Sequence, residues 1–572
     1  MATSISEVIE KIKGKFNGPQ QALVMDKRFK DREFLKTLRE KAMELDKEFT
    51  SQKEDLDKVV MQEQMSYMRK ALEKDKTKID MVYPVNPPYG FVNIRFDRAD
   101  GEITYNVREP KLKDDEHDQL KLIKSKMEAT MDQEEIPISE ETVFSDSTVL
   151  VEYLKKLYYN VVDLYDVRLT GKRKQVIFYH IQKDLLGWGV PDVVFRDVFI
   201  EDISCNGPRV PMFIYHRVFG SMRTNVVFET ENELNRYVIK LAQIAGKHVS
   251  VYQPILDATL SDGSRINLTL GSEVTRKGST FTIRKFSHDP ISPIDLIKWG
   301  SVSHELMAFF WIMIEKHRSI LISGGTASGK TTLMNAISMF IKPEDKVVSI
   351  EDTPEIHIDH INWIQSISRK GFGSGGGGTI GMYDLLAAAL RQRPEYVIVG
   401  EVRGKEAFTL FQAISVGHAA MATIHAGTID ELIHRVENEP MNIPRSLFQS
   451  LDCAVFQGQV MLDKKRVRRV KWLVEILDVE KESGNLITNN AYTWNPKYDQ
   501  FNFEGRSYIL EEIAHQMGKS IDTLLEEIKR RERYLKQLDN KNVTYFKDVS
   551  KAIGNYYLDS VSAFEELEKR VD

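Results

Sequence analysis

Between about residues 300 and 430 the apolar positions fall into short runs rich in β-branched residues. Each run is closed by a glycine, a carboxylate or a histidine and followed by apolar residues at helical spacing. Strands are predicted at Ile320–Ile322, Lys346–Glu351, Ile361–Ile367, Tyr396–Glu401 and Met421–Ile424. Helices are predicted behind the first run (Leu333, Ala336, Ile337, Phe340), at Tyr383–Gln392 and at Glu406–Val416. Apolar strands alternating with helices predict an α/β fold with a parallel sheet and ligands at the carboxyl ends of its strands. Lys330, Glu351, Glu401 and His425 all fall at such ends, which predicts one shared site.

Upstream the pattern differs. Residues 1–83 are dense in Lys, Glu, Asp and Met and read as a charged helical region. From Tyr83 the chain turns to strands and turns, with helices near 115–131, 146–164 and 173–187, so that 84–230 reads as one or two small α+β domains. Strands follow at Ile200–Gly207 and Val210–His216, a helix at Glu231–Ala245, and a strand pair around the Asp262-Gly263 hairpin signal. Thr280–Phe286 alternates as a further strand, and this segment carries Arg265, Arg276 and Arg284. Pro290-Ile-Ser-Pro293 disfavours continuing helix and suggests a hinge before the parallel-sheet domain of 291–460. Beyond it, 461–572 reads as a β-rich bridge (Val470–Val479) and a helical tail. The apolar run Leu306–Ile314 is too short to span a bilayer, which takes about 20 residues, and reads as a buried helix.

The chemistry starts at Gly324-Gly325-Thr326-Ala327-Ser328-Gly329-Lys330-Thr331-Thr332, which matches G-x-x-x-x-G-K-[ST] between a strand and a helix. In that context the pattern is a phosphate-binding P-loop. Its glycines let backbone N–H groups turn around phosphates, and the helix points its positive end at them. Lys330 would reach the β/γ phosphates and the Thr331 hydroxyl would bind Mg²⁺. Glu401, after an apolar strand and a glycine, suits an Mg²⁺-holding carboxylate, and Glu351, one strand over, suits a general base acting on water. A carboxylate at a strand end is otherwise most often a cap or loop salt bridge. Beside a P-loop the functional reading wins.

Charge and cysteine narrow the classes. The 572 residues carry a formal charge of −5, which gives no overall pull toward nucleic acid or anionic lipid. The basic runs Lys464–Arg469 and Lys529–Arg533 read as solvated surface. Two cysteines, Cys205 and Cys453, allow neither a disulfide framework nor a four-cysteine zinc module. The N-terminus lacks the apolar core of a signal peptide, so any membrane role would be peripheral.

Some features carry less. His418 and His425 flank a strand and share no helical face; one would sense a γ-phosphate, and a hydrogen-bonded core role competes for His418. Gly371–Gly376 formally matches G-x-G-x-x-G, but no acidic ribose partner in a βαβ unit follows, and the glycine run 371–378 reads as a mobile loop. Arg391, Arg393 and Arg403 flank the Tyr396–Glu401 strand, and salt bridges explain them nearly as well as action on a nucleotide.

Four motifs in order resemble the traffic ATPases of type II secretion, type IV pili and the archaellum. They are the Walker A at Gly324–Thr331, the aspartate box Ile350–Glu355, the atypical Walker B Val397–Arg403, and the histidine box Gly417-His418 with Thr423–His425. Leu390–Pro394 also matches, and Ile200–Gly207 looks most like the archaeal branch. The resemblance implies a RecA-like P-loop NTPase domain behind an N-terminal α+β region, 84–290, with a PAS-like arginine-bearing segment. It implies ATP and Mg²⁺ as ligands, Glu351 as base, Glu401 as Mg²⁺ ligand, and one of Arg265, Arg276 and Arg284 on the γ-phosphate. It further implies a cytoplasmic homo-hexamer, peripheral to the membrane through a polytopic inner-membrane platform protein, driving pilin-like subunits. Nucleotide sites would lie between the N-terminal and RecA-like domains. No zinc is expected, because the tetracysteine element of the pilus-extension branch cannot be built here, and the near-neutral composition gives no reason to expect direct nucleic-acid contact. Two alternatives stay open: a conjugation-type secretion ATPase or DNA translocase, and a non-hydrolysing assembly scaffold, against which intact Lys330, Glu351 and Glu401 argue.

Overall fold

The computed structural model describes residues 64–65, 67–131, 147–286, 290–369, 378–462, 465–480 and 485–569. Most of the expected charged helical region, 1–63, and the glycine loop 371–377 lie outside the described residues. The chain divides into two compact units, Met1–Phe286 and Ser287–Asp572.

The first unit is built on one nine-stranded sheet. Its strands are β1 (Asp80–Asn86), β2 (Gly90–Asp97), β3 (Glu102–Arg108), β4 (Ile200–Cys205), β5 (Phe213–His216), β6 (Gly220–Thr224), β7 (Ile255–Thr259), β8 (Arg265–Thr269) and β9 (Thr280–Arg284). They lie in the order β1-β2-β3-β6-β5-β4-β9-β8-β7. All neighbours are antiparallel except β3 and β6. The sheet therefore joins what reads in sequence as separate small domains, and β1 begins at Asp80, ahead of the expected boundary at 84. The Asp262-Gly263 turn does connect β7 to β8, with Gly263 at φ +84°. Ile203, Ile214, Ile266, Phe281 and Ile283 belong to the same core as Leu234, Val238 and Leu241 of the helix Glu231–Ile244. The helices Asp114–Met131, Ser147–Leu164 and Gly171–Leu185 close over a separate small core around Ile123, Tyr158 and Ile177.

The second unit has its own nine-stranded sheet, formed by β10 (Ile320–Ser323), β11 (Val347–Glu351), β12 (Trp363–Ile367), β13 (Tyr396–Val399), β14 (Ala419–Ile424), β15 (Cys453–Leu462), β16 (Lys465–Val479), β17 (Leu486–Asn495) and β18 (Gln500–Phe503). The order is β12-β11-β13-β14-β10-β15-β16-β17-β18. From β12 to β15 every pairing is parallel, and β15 to β18 form an antiparallel meander. The expected boundary at 460/461 thus falls inside β15, and the β-rich bridge is a continuation of the same sheet. β13 and β14 are buried along their whole length, which is why they read as unbroken apolar runs.

The run Leu306–Ile314 is a helix, His304–Glu315, buried on every face. Trp311 stacks on Phe340 just beyond the P-loop helix, and its Nε1 donates to the Tyr557 hydroxyl at 2.8 Å. Tyr557 in turn donates to the Phe340 carbonyl at 2.6 Å, tying the C-terminal helices to the segment behind the helix Lys330–Ser338. Pro293 does not merely interrupt helix. It occupies the first turn of a new one, Pro293–Lys298, capped by Ser292.

Candidate nucleotide-binding site

β10 stops at Ser323, whose hydroxyl donates to the Ala426 carbonyl at 2.7 Å and so fixes the strand end against the end of β14. The chain then turns through Gly324–Gly329 into the helix Lys330–Ser338. Gly324 has no room for a side chain, since a Cβ there would lie 2.2 Å from the Gln457 carbonyl oxygen of β15. Gly329 caps the helix at φ +94°, and Ala327 also takes a positive φ of 58°. Gly325, Thr326 and Ala327 face solvent, while Ser328 and Lys330 are buried. Lys330 Nζ donates to the carbonyls of Gly324 and Gly325 at 3.0 and 3.1 Å. Burial holds its pKa below the ordinary lysine value, with the charge of Glu401 working in the opposite direction. Thr331 and Thr332 follow in the first turn of the helix, both half-buried.

The parallel order β11-β13-β14-β10 brings the other strand ends to the same edge. Glu401 leaves the end of β13, and His425 leaves the end of β14 beside the P-loop strand. His425 Nε2 stands 3.1 Å from Glu401 Oε1, and the Arg403 guanidinium binds the other carboxylate oxygen. Burial pushes Glu401 up, but Arg403, His425 and Lys330 outweigh it and hold the carboxyl below its ordinary range. Burial, and next the Lys330 charge, lower His425. Ser328 Oγ and Gln457 Oε1 are buried without a hydrogen-bond partner among the described residues. Orphaned polar oxygens beside the glycine loop are what a bound ligand with its cation would satisfy.

Glu351 departs from expectation. It lies at the end of β11 but is only 1% exposed. One oxygen accepts from the backbone N–H groups of Glu355 and Ile356, both at 2.7 Å, and the other from Gln365 Nε2 at 2.9 Å. Burial raises its pKa to about 7 despite these bonds. A carboxylate so enclosed holds the turn 352–356 through these backbone bonds. That turn presents Glu355 to solvent. Asn335 of the P-loop helix grips it, donating to the Glu355 carbonyl at 2.8 Å and accepting from His357 N–H at 3.2 Å.

His418 lies at the opposite end of β14, with Nδ1 3.3 Å from the Pro394 carbonyl oxygen, in the hydrogen-bonded role that competed for it. Arg391 and Arg393 likewise precede β13, whereas Arg403 follows it and touches Glu401. In the first unit, Arg265 and Arg284 are direct cross-strand partners on β8 and β9. They pair with Asp257 and Asp202 at 3.5 and 3.3 Å. Arg276 is exposed in the loop at the far end of that strand pair, so the three arginines do not form one cluster.

Neither basic run is simply solvated surface. In the first, Arg469 is 5% exposed and bidentate to Asp499, with both bonds at 2.7 Å. Its neighbour Arg468 donates from Nε to the Ala327 carbonyl of the P-loop at 3.0 Å. In the second, Arg531 is buried, paired with Glu315 and Glu527, and lies 4.9 Å from the Trp311 ring centroid. Local charge patterning shows only the i,i+4 pair of Arg531 with Glu527, because Asp499 and Glu315 come from distant segments.

Among the described residues no helix is long and apolar enough to cross a membrane. Cys205 and Cys453 are free and buried. Residues 211–566 match the family described as type II/IV secretion system protein. An uncharacterized protein of Methanocaldococcus jannaschii, MJ0900, is 36% identical over 84% of this chain and 89% of its own length. The probable conjugal transfer protein TrbB of Sinorhizobium fredii is 32% identical over 41% of this chain and 71% of its own. The X-ray structure of the Legionella pneumophila ATPase DotB aligns with 68% of this chain and 96% of that one at 17% identity, with a TM-score of 0.36. With 356 of its 572 residues inside one family match, this chain belongs to the type II/IV secretion system protein family.

Proposed function

We propose that the chain hydrolyses ATP to ADP and phosphate as the motor of a secretion or pilus-like filament machine. The observation that carries this reading is the convergence of the P-loop, Glu401 and His425 on adjacent carboxyl ends of one parallel sheet. The loop amides and Lys330 would hold the β/γ phosphates. Thr331 and Glu401 would hold Mg²⁺, whose chemistry is to neutralise charge on the phosphate oxygens. His425, beside Glu401 and the P-loop strand, is suited to register the terminal phosphate.

For the base we take Glu355 in place of Glu351. It is the water-facing carboxylate of the same turn, and it is held by the P-loop helix through Asn335. Charge at the γ-phosphate would be met by Arg265 or Arg284, within a chain or from a neighbour in a homo-hexamer, and Arg276 is the weaker candidate. The motor would work at the cytoplasmic face, held there by a polytopic platform protein and acting on pilin-like subunits, without zinc or direct nucleic-acid contact. Phosphate release by the purified protein, compared with Lys330→Ala and repeated with platform-bearing and protein-free vesicles, tests the reading. Turnover that survives Lys330→Ala would sink it. The conjugal transfer relative favours a second reading, a conjugation-type transfer ATPase. Retention of single-stranded DNA by the purified protein would support that reading over the first.

A further inference from the structure

We propose that Arg468, on β16 and outside every P-loop motif, is a second in-chain cation of the nucleotide site that binds the polyphosphate beside Lys330. This inference rests on the nucleotide reading above. β15 runs parallel to β10, with Gln457 next to Phe456, the partner of Ser323. β16 returns along β15 and sets Arg468 opposite Gln459. The effect is to make β15 and β16 one wall of the phosphate loop. A Cβ added to Gly329 would lie 3.0 Å from Arg468 Cδ and 3.2 Å from Gln457 Nε2.

Within this wall the guanidinium is held by one edge only. Nε donates to the Ala327 carbonyl at 3.0 Å, in the exposed part of the loop. Among the described residues neither terminal amino group of Arg468 has a hydrogen-bond or ion-pair partner. The contrast with Arg469 is informative. That residue spends its fork on Asp499 and its remaining amine on the carbonyls of Trp299 and Arg468. Among the described residues Arg468 has no carboxylate partner. A planar fork fixed at Nε and open at both ends is the arrangement that engages phosphate oxygens bidentately. A lysine could not hold the loop carbonyl and offer a fork at once. The ligand class is therefore a nucleoside di- or triphosphate, recognised through its charge.

Equilibrium binding of a fluorescent ADP derivative to the full chain, at low and high salt, tests this in wild type, Arg468→Gln, Arg468→Lys and Lys330→Ala. Arg468→Gln should weaken binding about tenfold or more at low salt, the scale of one charge-assisted hydrogen bond, and approach wild type at high salt, where screening removes the charge term. Arg468→Lys should fall between the two. Equal affinity in Arg468→Gln and wild type at both salts, or a parallel loss at both, overturns the assignment, the latter because it would mark a loop-shaping role alone. If Lys330→Ala binds like wild type, the nucleotide reading fails as a whole. If Lys330→Ala loses binding while Arg468→Gln does not, only the Arg468 inference fails.

Discussion

The two nine-stranded sheets use the same number of strands to opposite ends. In the second unit six consecutive strands run parallel, so residues that follow them in sequence are gathered on one edge whatever their separation along the chain. In the first, antiparallel neighbours send alternate strand ends to opposite edges. Arg265 and Arg284 meet because one begins β8 and the other ends β9, while Arg276, between them in sequence, is carried to the other side. Five residues of strand at about 3.4 Å each separate those edges by roughly 15 Å. Parallel topology collects chemistry, and antiparallel topology sorts it into two groups.

The comparison is broken most directly at the gathered edge. Lys330→Ala should leave no detectable nucleotide binding or phosphate release, measured by titration and by a coupled assay. On the sorting side, replacing Arg265 and Arg284 together with Gln should lower turnover about 10³-fold if they meet the γ-phosphate, with binding kept. Arg276→Gln should stay near wild type. A reversal of that ranking would separate function from the cross-strand pairing. Next comes the base. Glu355→Gln should cut kcat about 10²–10⁴-fold with binding retained, while Glu351→Gln, an isostere that still accepts the two backbone N–H groups, keeps most activity. Collapse of turnover in Glu351→Gln alone would restore Glu351 as base.

The smallest effect is a pH slope. The folded protein raises Glu351 from the ordinary 4.5 to about 7, so the native state holds that proton more tightly than the unfolded chain does. The associated stability is fully present below about pH 4.5 and is lost as pH rises through about 7. At about 1.36 kcal/mol per unit, the loss is on the order of 3 kcal/mol. Glu351→Gln removes this dependence, so between about pH 5 and pH 8 its Tm should gain on that of wild type. Parallel Tm curves would show that Glu351 ionises normally.

What could be read from sequence tracks how local the signal is. The P-loop, the parallel strands and the Asp262-Gly263 hairpin are set by residues a few positions apart, and the structure has them where the pattern puts them. Glu401 and His425 were also legible, since a strand end is a local feature and parallel topology does the rest. The pairing of β10 with β15 links segments 133 residues apart at Ile320 and Cys453, and no periodicity chooses that partner. Everything that depends on it was therefore hidden, including the lack of space at Gly324, the approach of Arg468, and the unity of the sheet across residue 460. The enclosure of Glu351 was hidden for a related reason. A buried carboxylate holding a turn and a catalytic one have the same spelling, and only Gln365 and two backbone N–H groups tell them apart.

The unbroken sheet also bears on how this protein can be cut. A fragment ending near residue 460, where a motif-based boundary would fall, would keep β15 against β10 but remove β16 from its other side. The freed row of N–H and C=O groups on β15 would be a new sheet edge directly beside the phosphate loop, free to pair with another fragment. Such a piece would carry every signature motif and still tend to precipitate, whereas a cut beyond β18 at Phe503 would leave the meander to cover that edge.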